Sequence, residues 1–329
     1  MTLDPSALPQ EQNERFALPF RVPLRVLVAW NPLDTNSGDN EALEFAAWLG
    51  RSLPISVRVV STLLRPWPAS IGVLGKKYKK WHKKESQACA SAVENALKQV
   101  ELPRKYWAKE FSTLADGQNE ATMLSDEAER FDADIILVGS NAAASKGRFL
   151  AGSAADALMH SSPTTLGLAP RKVKLSKKGI NRVNFAFVDE RCNESSPGLM
   201  FASELATYLE VPLRIIAFSP TGIGEVTLSK GGDIATELID DWHEQALGML
   251  DLARDRVIAA HESLEVITEV GAGKGWANAV DALKWKKGDL ICMSSQPLGT
   301  LERVFVGSSA NEFLRHVPVP VMISPATTP

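Results

Sequence analysis

Three positions lie where an anion could be held: Gly139, Gly152 and Ser153, within VGSNAAASKGRFLAGSAADALMH. This stretch leaves an apolar run, crosses a loop of small and basic residues, and enters a helical pattern through Gly152-Ser153. The first turn of a helix has free N–H groups and a partial positive charge, which suits a phosphate. The Ser153 hydroxyl would add a donor, with Ala154 next to it, and Lys146 and Arg148 in the loop could cover a bound charge. Gly139 at the strand end lets a ligand approach the backbone closely. A ligand-free reading fits the same residues. Serine is a favoured N-cap, and glycine before a helix is common.

Other chemistries find little support. His82, His160, His243, His261 and His316 show neither HExxH nor metal spacing. No GxSxG elbow is present. The segment EVGAGKGWANAVDAL is glycine-rich but lacks both the GK[ST] ending and GxGxxG spacing, so it reads as a strand-to-helix turn. No metal site and no efficient catalysis are expected, although slow hydrolysis of a bound nucleotide would be compatible with these residues. Cys89, Cys192 and Cys292 are far apart, as reduced thiols in a cytoplasmic protein would be.

The elements that must position these residues occur twice in the 329-residue chain. PLRVLVAWNP is matched later by NRVNFAFVDE, and ADIILVGS by GDLICMSS. At one constant offset Arg148 meets Arg303, Gly152-Ser153 meets Gly307-Ser308, and Pro163 meets Pro318. Short β-branched runs alternate with helical patterns, which implies parallel sheets with helices on both faces. Five strands are predicted in the first copy, near 24–30, 55–61, 105–112, 133–139 and 164–169. The expected organisation is a mobile leader over 1–22, one α/β domain over 23–171, a Lys/Ser/Gly linker over 172–181, and a second domain over 182–326. Ligands on such sheets sit beyond the C-terminal strand ends, where Gly139 lies. The composition, 45% apolar and 23% charged with a net charge of −3, is that of a soluble globular protein with no general pull toward nucleic acid or membrane.

The spacing from Gly139 through Ala142 to Gly152-Ser153, and the closing LERVFVGSSANEFLRHVPVPVMIS, resemble the universal stress protein family, and the likeness spans nearly the whole chain twice. The resemblance implies two tandem Rossmann-like domains, each a five-stranded parallel sheet of order 3-2-1-4-5, paired through their last strands. It also implies a stress-response protein that in one branch of the family binds ATP, here possible as the Mg2+ complex. The nucleotide site carried over comprises Asn31, Gly139, Ala142, Lys146, Arg148, Gly152, Ser153 and Ala154. Ala142 replaces the family's middle glycine. It would cost about 1–2 kcal/mol if that position needed a left-handed backbone, and little otherwise. Asn31 stands where the family has an acid, facing the adenosine side. The second copy keeps Asp189, Arg303, Gly307 and Ser308, but Ser294 and Pro297 replace its two loop glycines. At most one nucleotide per chain is expected, in the first copy; the alternative is a ligand-free interaction module with two degenerate sites. The expected partners are an adenine nucleotide, the other half of the chain, and a possible second copy.

One further motif is chemically distinctive. GKKYKKWHKKE packs Lys76, Lys77, Lys79, Lys80, Lys83 and Lys84 around Tyr78 and Trp81. Lysines among aromatics can grip nucleic acid, but a solvated helix start with Tyr78 and Trp81 facing inward is the favoured reading. The matching segment carries Asp233, Glu237, Asp240, Asp241 and Glu244, so the two could also meet within the chain or between copies.

Overall fold

A computed structural model describes residues 21–32, 40–65, 75–188, 195–221, 232–295 and 304–325, without the side chains of 220, 221 and 232–240. The first half carries β1 (Leu24–Ala29), β2 (Ile55–Leu64), β3 (Trp107–Gly117), β4 (Ile135–Gly139) and β5 (Thr165–Ala169). Between them run α1 (Glu41–Leu49), α2 (Gly75–Gln99), α3 (Glu120–Phe131) and α4 (Ser153–Leu158). The second half repeats the series as β6 (Arg182–Phe187), β7 (Leu213–Thr221), β8 (Val266–Lys274), β9 (Asp289–Ser294) and β10 (Val321–Ser324). Its helices are α5 (Pro197–Tyr208), α6 (Gly232–Ala260), α7 (Gly275–Asp281) and α8 (Ser308–Leu314). The runs IILVG and LICMS are apolar along their length because the central strands are covered on both faces.

Each half has the expected strand order, but the two sheets are not separate. They fuse into one ten-stranded sheet, β3-β2-β1-β4-β5-β10-β9-β6-β7-β8. The seam is antiparallel, with Val321 opposite Leu168, Met322 opposite Gly167 and Ile323 opposite Leu166. Fusion removes the two edges that β5 and β10 would otherwise expose. It also points the C-terminal strand ends of the two halves to opposite margins. Residues of α1, α2, α5 and α6 pack on one face, and those of α3, α4, α7 and α8 on the other. Both cores cross the seam.

Gly167 shows how tightly β5 packs on β4 and α1 of its own half. A Cβ there would lie 2.2 Å from Leu137 Cδ2 and 3.1 Å from Phe45 Cε1. Gly167→Ala is expected to destabilise the chain by about 1–3 kcal/mol through overpacking, read as a lower urea midpoint at unchanged slope. The 172–181 segment differs from a loose linker. Arg51 Nη1 donates to Ser176 O at 3.0 Å, Ile180 N to Ser52 Oγ at 2.8 Å, and Ser176 N to Lys287 O at 2.9 Å. Its backbone is held by both halves, which its lysine-rich composition did not indicate.

Candidate functional site

Beyond the C-terminal ends of β1, β2 and β4 the first half forms a half-open cavity of about 690 Å³. Its lining brings together five of the predicted residues: Asn31, Gly139, Gly152, Ser153 and Ala154. Asn31 follows β1, and its Nδ2 donates to Thr62 O at 2.9 Å, which aligns it across β1 and β2. Gly152 is the residue before α4, with φ −83° and ψ 177°, and no side chain caps the helix. The loop from β4 to α4 is closed by its own hydrogen bonds. Asn141 N donates to Leu150 O at 2.8 Å, and Leu150 N donates to Ser140 Oγ at 2.9 Å.

Three predicted residues are elsewhere. Ala142 is not on the cavity wall and keeps a negative φ, so alanine carries no left-handed strain in this loop. Lys146 is exposed on the loop. Arg148 reaches the second half, where its Nη1 donates to His316 O at 2.6 Å and its Nη2 to Asp281 Oδ1 at 3.0 Å. The second half returns the contact, with Val304 N donating to Ser162 O at 3.0 Å and Val306 N to Met159 O at 2.9 Å. The two repeated loops thus cross at the seam, and the repeated arginine position of the first loop serves that crossing.

Sequence reasoning missed the acids in the cavity wall. Glu41 is 2% exposed; its Oε1 accepts from Lys172 N at 3.1 Å, while the buried Oε2 has no partner. Glu120 accepts from Thr62 Oγ1 at 3.1 Å and from Ser153 Oγ at 3.4 Å. Glu85 on α2 also lines the cavity. Glu41 and Glu120 open α1 and α3, where an acid ordinarily complements the helix dipole and draws no attention. Trp30, Leu63, Leu64, Leu114 and Leu124 supply apolar wall.

At the corresponding strand end of the second half a serine stands where the first half has Gly139. Ser294 Oγ accepts from Gly198 N at 2.9 Å and shares a hydrogen bond with Ser196 Oγ. A Cβ on Gly198 would meet Ser294 Oγ at 2.2 Å, whereas one on Gly139 would find its nearest neighbour, Ala42 N, at 3.8 Å. The serine therefore takes the Gly198 N–H at the start of α5, and the helix packs directly on the end of β9. Gly307 precedes α8 in an extended conformation, as Gly152 precedes α4, and Ser308 is exposed. Asp189, Pro297 and Arg303 lie outside the described residues.

The lysine-rich segment is the start of α2, and all six lysines are exposed. Tyr78 faces inward as expected: its hydroxyl donates to Asp116 Oδ2, and burial together with this carboxylate pushes the phenol upward in pKa. Trp81 does not. It is 43% exposed and forms part of the cavity wall. The acidic segment falls in α6, beside β7 and β8, while α2 lies beside β3. Those margins of the sheet are separated by more than about 30 Å at about 4.8 Å per strand, so an intrachain contact between the segments is ruled out. The glycine-rich segment enters β8 and the start of α7; Gly271 and Gly273 make room for the α7 backbone, where a Cβ would meet Ala279 O and Asn278 C at 2.7 Å. Burial pushes the Cys292 thiol well up. Among the described residues no three His, Cys, Asp or Glu side chains gather as a metal site, and no helix is long and apolar enough to cross a membrane.

The fold defines a doubly wound α/β tandem with a ligand-sized cavity at the switch point of its first half. The universal stress protein family model matches residues 25–167 and again 193–325, and the chain belongs to that family. It is 26% identical over 287 residues to universal stress protein Rv2319c of Mycobacterium tuberculosis, covering 86% of this chain and 94% of that one. Universal stress protein Mb2346c of Mycobacterium bovis matches to the same extent. The crystal structure of a universal stress protein from Archaeoglobus fulgidus superposes with a TM-score of 0.61 at 17% identity, over 92% of this chain and 98% of the other, which is a likeness of fold.

Proposed function

We propose that this stress protein binds one adenine nucleotide, in the cavity of its first half, and acts as a ligand-responsive regulator in the cytoplasm, not as an enzyme. The observation that carries this reading is the cavity of about 690 Å³ between Asn31, Gly139 and Gly152-Ser153. The volume suits a ligand of nucleotide size. Asn31 would take the adenosine side, and the start of α4 the phosphates. Mg2+ would come with the phosphates, supplying charge neutralisation. Acid extraction of the purified protein, with chromatography of what is released, tests this; an adenine compound near one per chain is expected.

Arg148 separates nucleotide contacts from seam contacts. Arg148→Ala is expected to cost about 1 kcal/mol of stability, since a partly exposed ion pair and one hydrogen bond are lost. Nucleotide affinity should stay as in the parent, measured by calorimetric titration. A second reading is a ligand-free interaction protein, for which the glycine-to-serine change at Ser294 speaks. It predicts an extract with no nucleotide and no heat on titration.

A further inference from the structure

The cavity carries negative charge where a polyphosphate would need positive charge. Glu41 Oε2 is buried without a partner about 4.0 Å from where a Gly139 Cβ would stand, and Glu120 reaches the Ser153 hydroxyl at the mouth of α4. Glu85 stands on the α2 side. Among the described residues no Lys or Arg lines the cavity. The lysines of α2 are exposed to solvent, and Arg148, expected at the mouth, is spent on Asp281 and His316. Lys146 is exposed and off the wall.

A phosphate oxygen at the same mouth would face like charge at short range, where repulsion beside protein exceeds that in bulk water. We infer that the site selects adenine ligands by charge: it favours the neutral nucleoside and disfavours each added phosphate unless a divalent cation neutralises it. The inference rests on the adenine-ligand reading above. It makes the divalent cation concentration, and the ratio of nucleoside to nucleotide, the quantities to which the protein responds.

The test is calorimetric titration of the full chain with adenosine and with ATP, first in EDTA and then in Mg2+. In EDTA adenosine is expected to bind more tightly than ATP by about tenfold or more, one unit charge at short range being worth that much. Mg2+ should narrow the gap. Glu120→Gln should lower the adenosine-to-ATP ratio in EDTA by at least about fivefold, and Glu41→Gln, read the same way, keeps the test open if the first variant does not fold. ATP binding in EDTA as tightly as adenosine would overturn the selectivity and leave the nucleotide reading standing. Failure of both ligands to bind would remove both.

Discussion

Asp289→Ala is expected to cost about 3–5 kcal/mol of folding stability, the usual consequence of leaving buried cations without their carboxylate. Asp289 is fully buried at the start of β9. It accepts from Arg182 Nε at 2.8 Å, from Arg182 Nη2 at 2.6 Å and from Lys286 N at 2.8 Å. Arg214, 1% exposed, stands 3.8 Å away. Its guanidinium also meets Asn184 Oδ1 at 2.7 Å and Glu269 Oε2 at 2.7 Å, and stacks 4.7 Å over Trp285. Burial and the neighbouring Arg182 both push the Arg214 pKa down, while Glu269 and Asp289 hold it up. Removing Asp289 withdraws one of the two supports and strands two arginines side by side. Urea denaturation measures the loss; a loss under about 1 kcal/mol would show that Asp289 is not what balances the pair. None of these residues lines the first-half cavity, which therefore keeps its walls.

Gly152→Val is expected to weaken adenine-nucleotide binding by about ten- to hundredfold while leaving the fold intact. The backbone at Gly152 is extended, so valine is conformationally acceptable. A Cβ there meets nothing closer than Asn141 Nδ2 at 3.8 Å, so the added carbon itself does not clash. The two methyl groups then stand in the mouth of the cavity, where phosphate would approach the start of α4. Calorimetric titration checks affinity, and a thermal melt checks the fold. Equal affinity for parent and variant would move the ligand away from this mouth.

The fold was legible because its signals were redundant. ADIILVGS and GDLICMSS mark the two fourth strands, and even their leading acids repeat: Asp134 accepts from Arg25 N at 2.7 Å as Asp289 accepts from Arg182. Strands covered on both faces must be apolar along their whole length, and no local alternative competes with that pattern. The pairing of β5 with β10 followed from two edges in need of partners. The cavity lining was legible at Asn31, Gly139, Gly152, Ser153 and Ala154. Side-chain destinations were not. Arg148 has the sequence context of any loop cation, and its partners Asp281 and His316 lie far along the chain. Glu41 and Glu120 occupy first turns of helices, where an acid has an ordinary explanation. Trp81 shares a helix with Tyr78, three residues earlier, but the cavity admits one ring to its wall while Asp116 holds the other. Ser294 looked like a missing glycine; its hydroxyl accepts from Gly198 N at the start of α5.

The central claim is one open site per chain, in the first half. Its most direct test is the stoichiometry of Mg–ATP binding by calorimetric titration of the full chain. One nucleotide per chain, with the weaker affinity stated above in Gly152→Val, is the predicted result. Two per chain would contradict a single open site, and none would contradict the site at Gly152-Ser153.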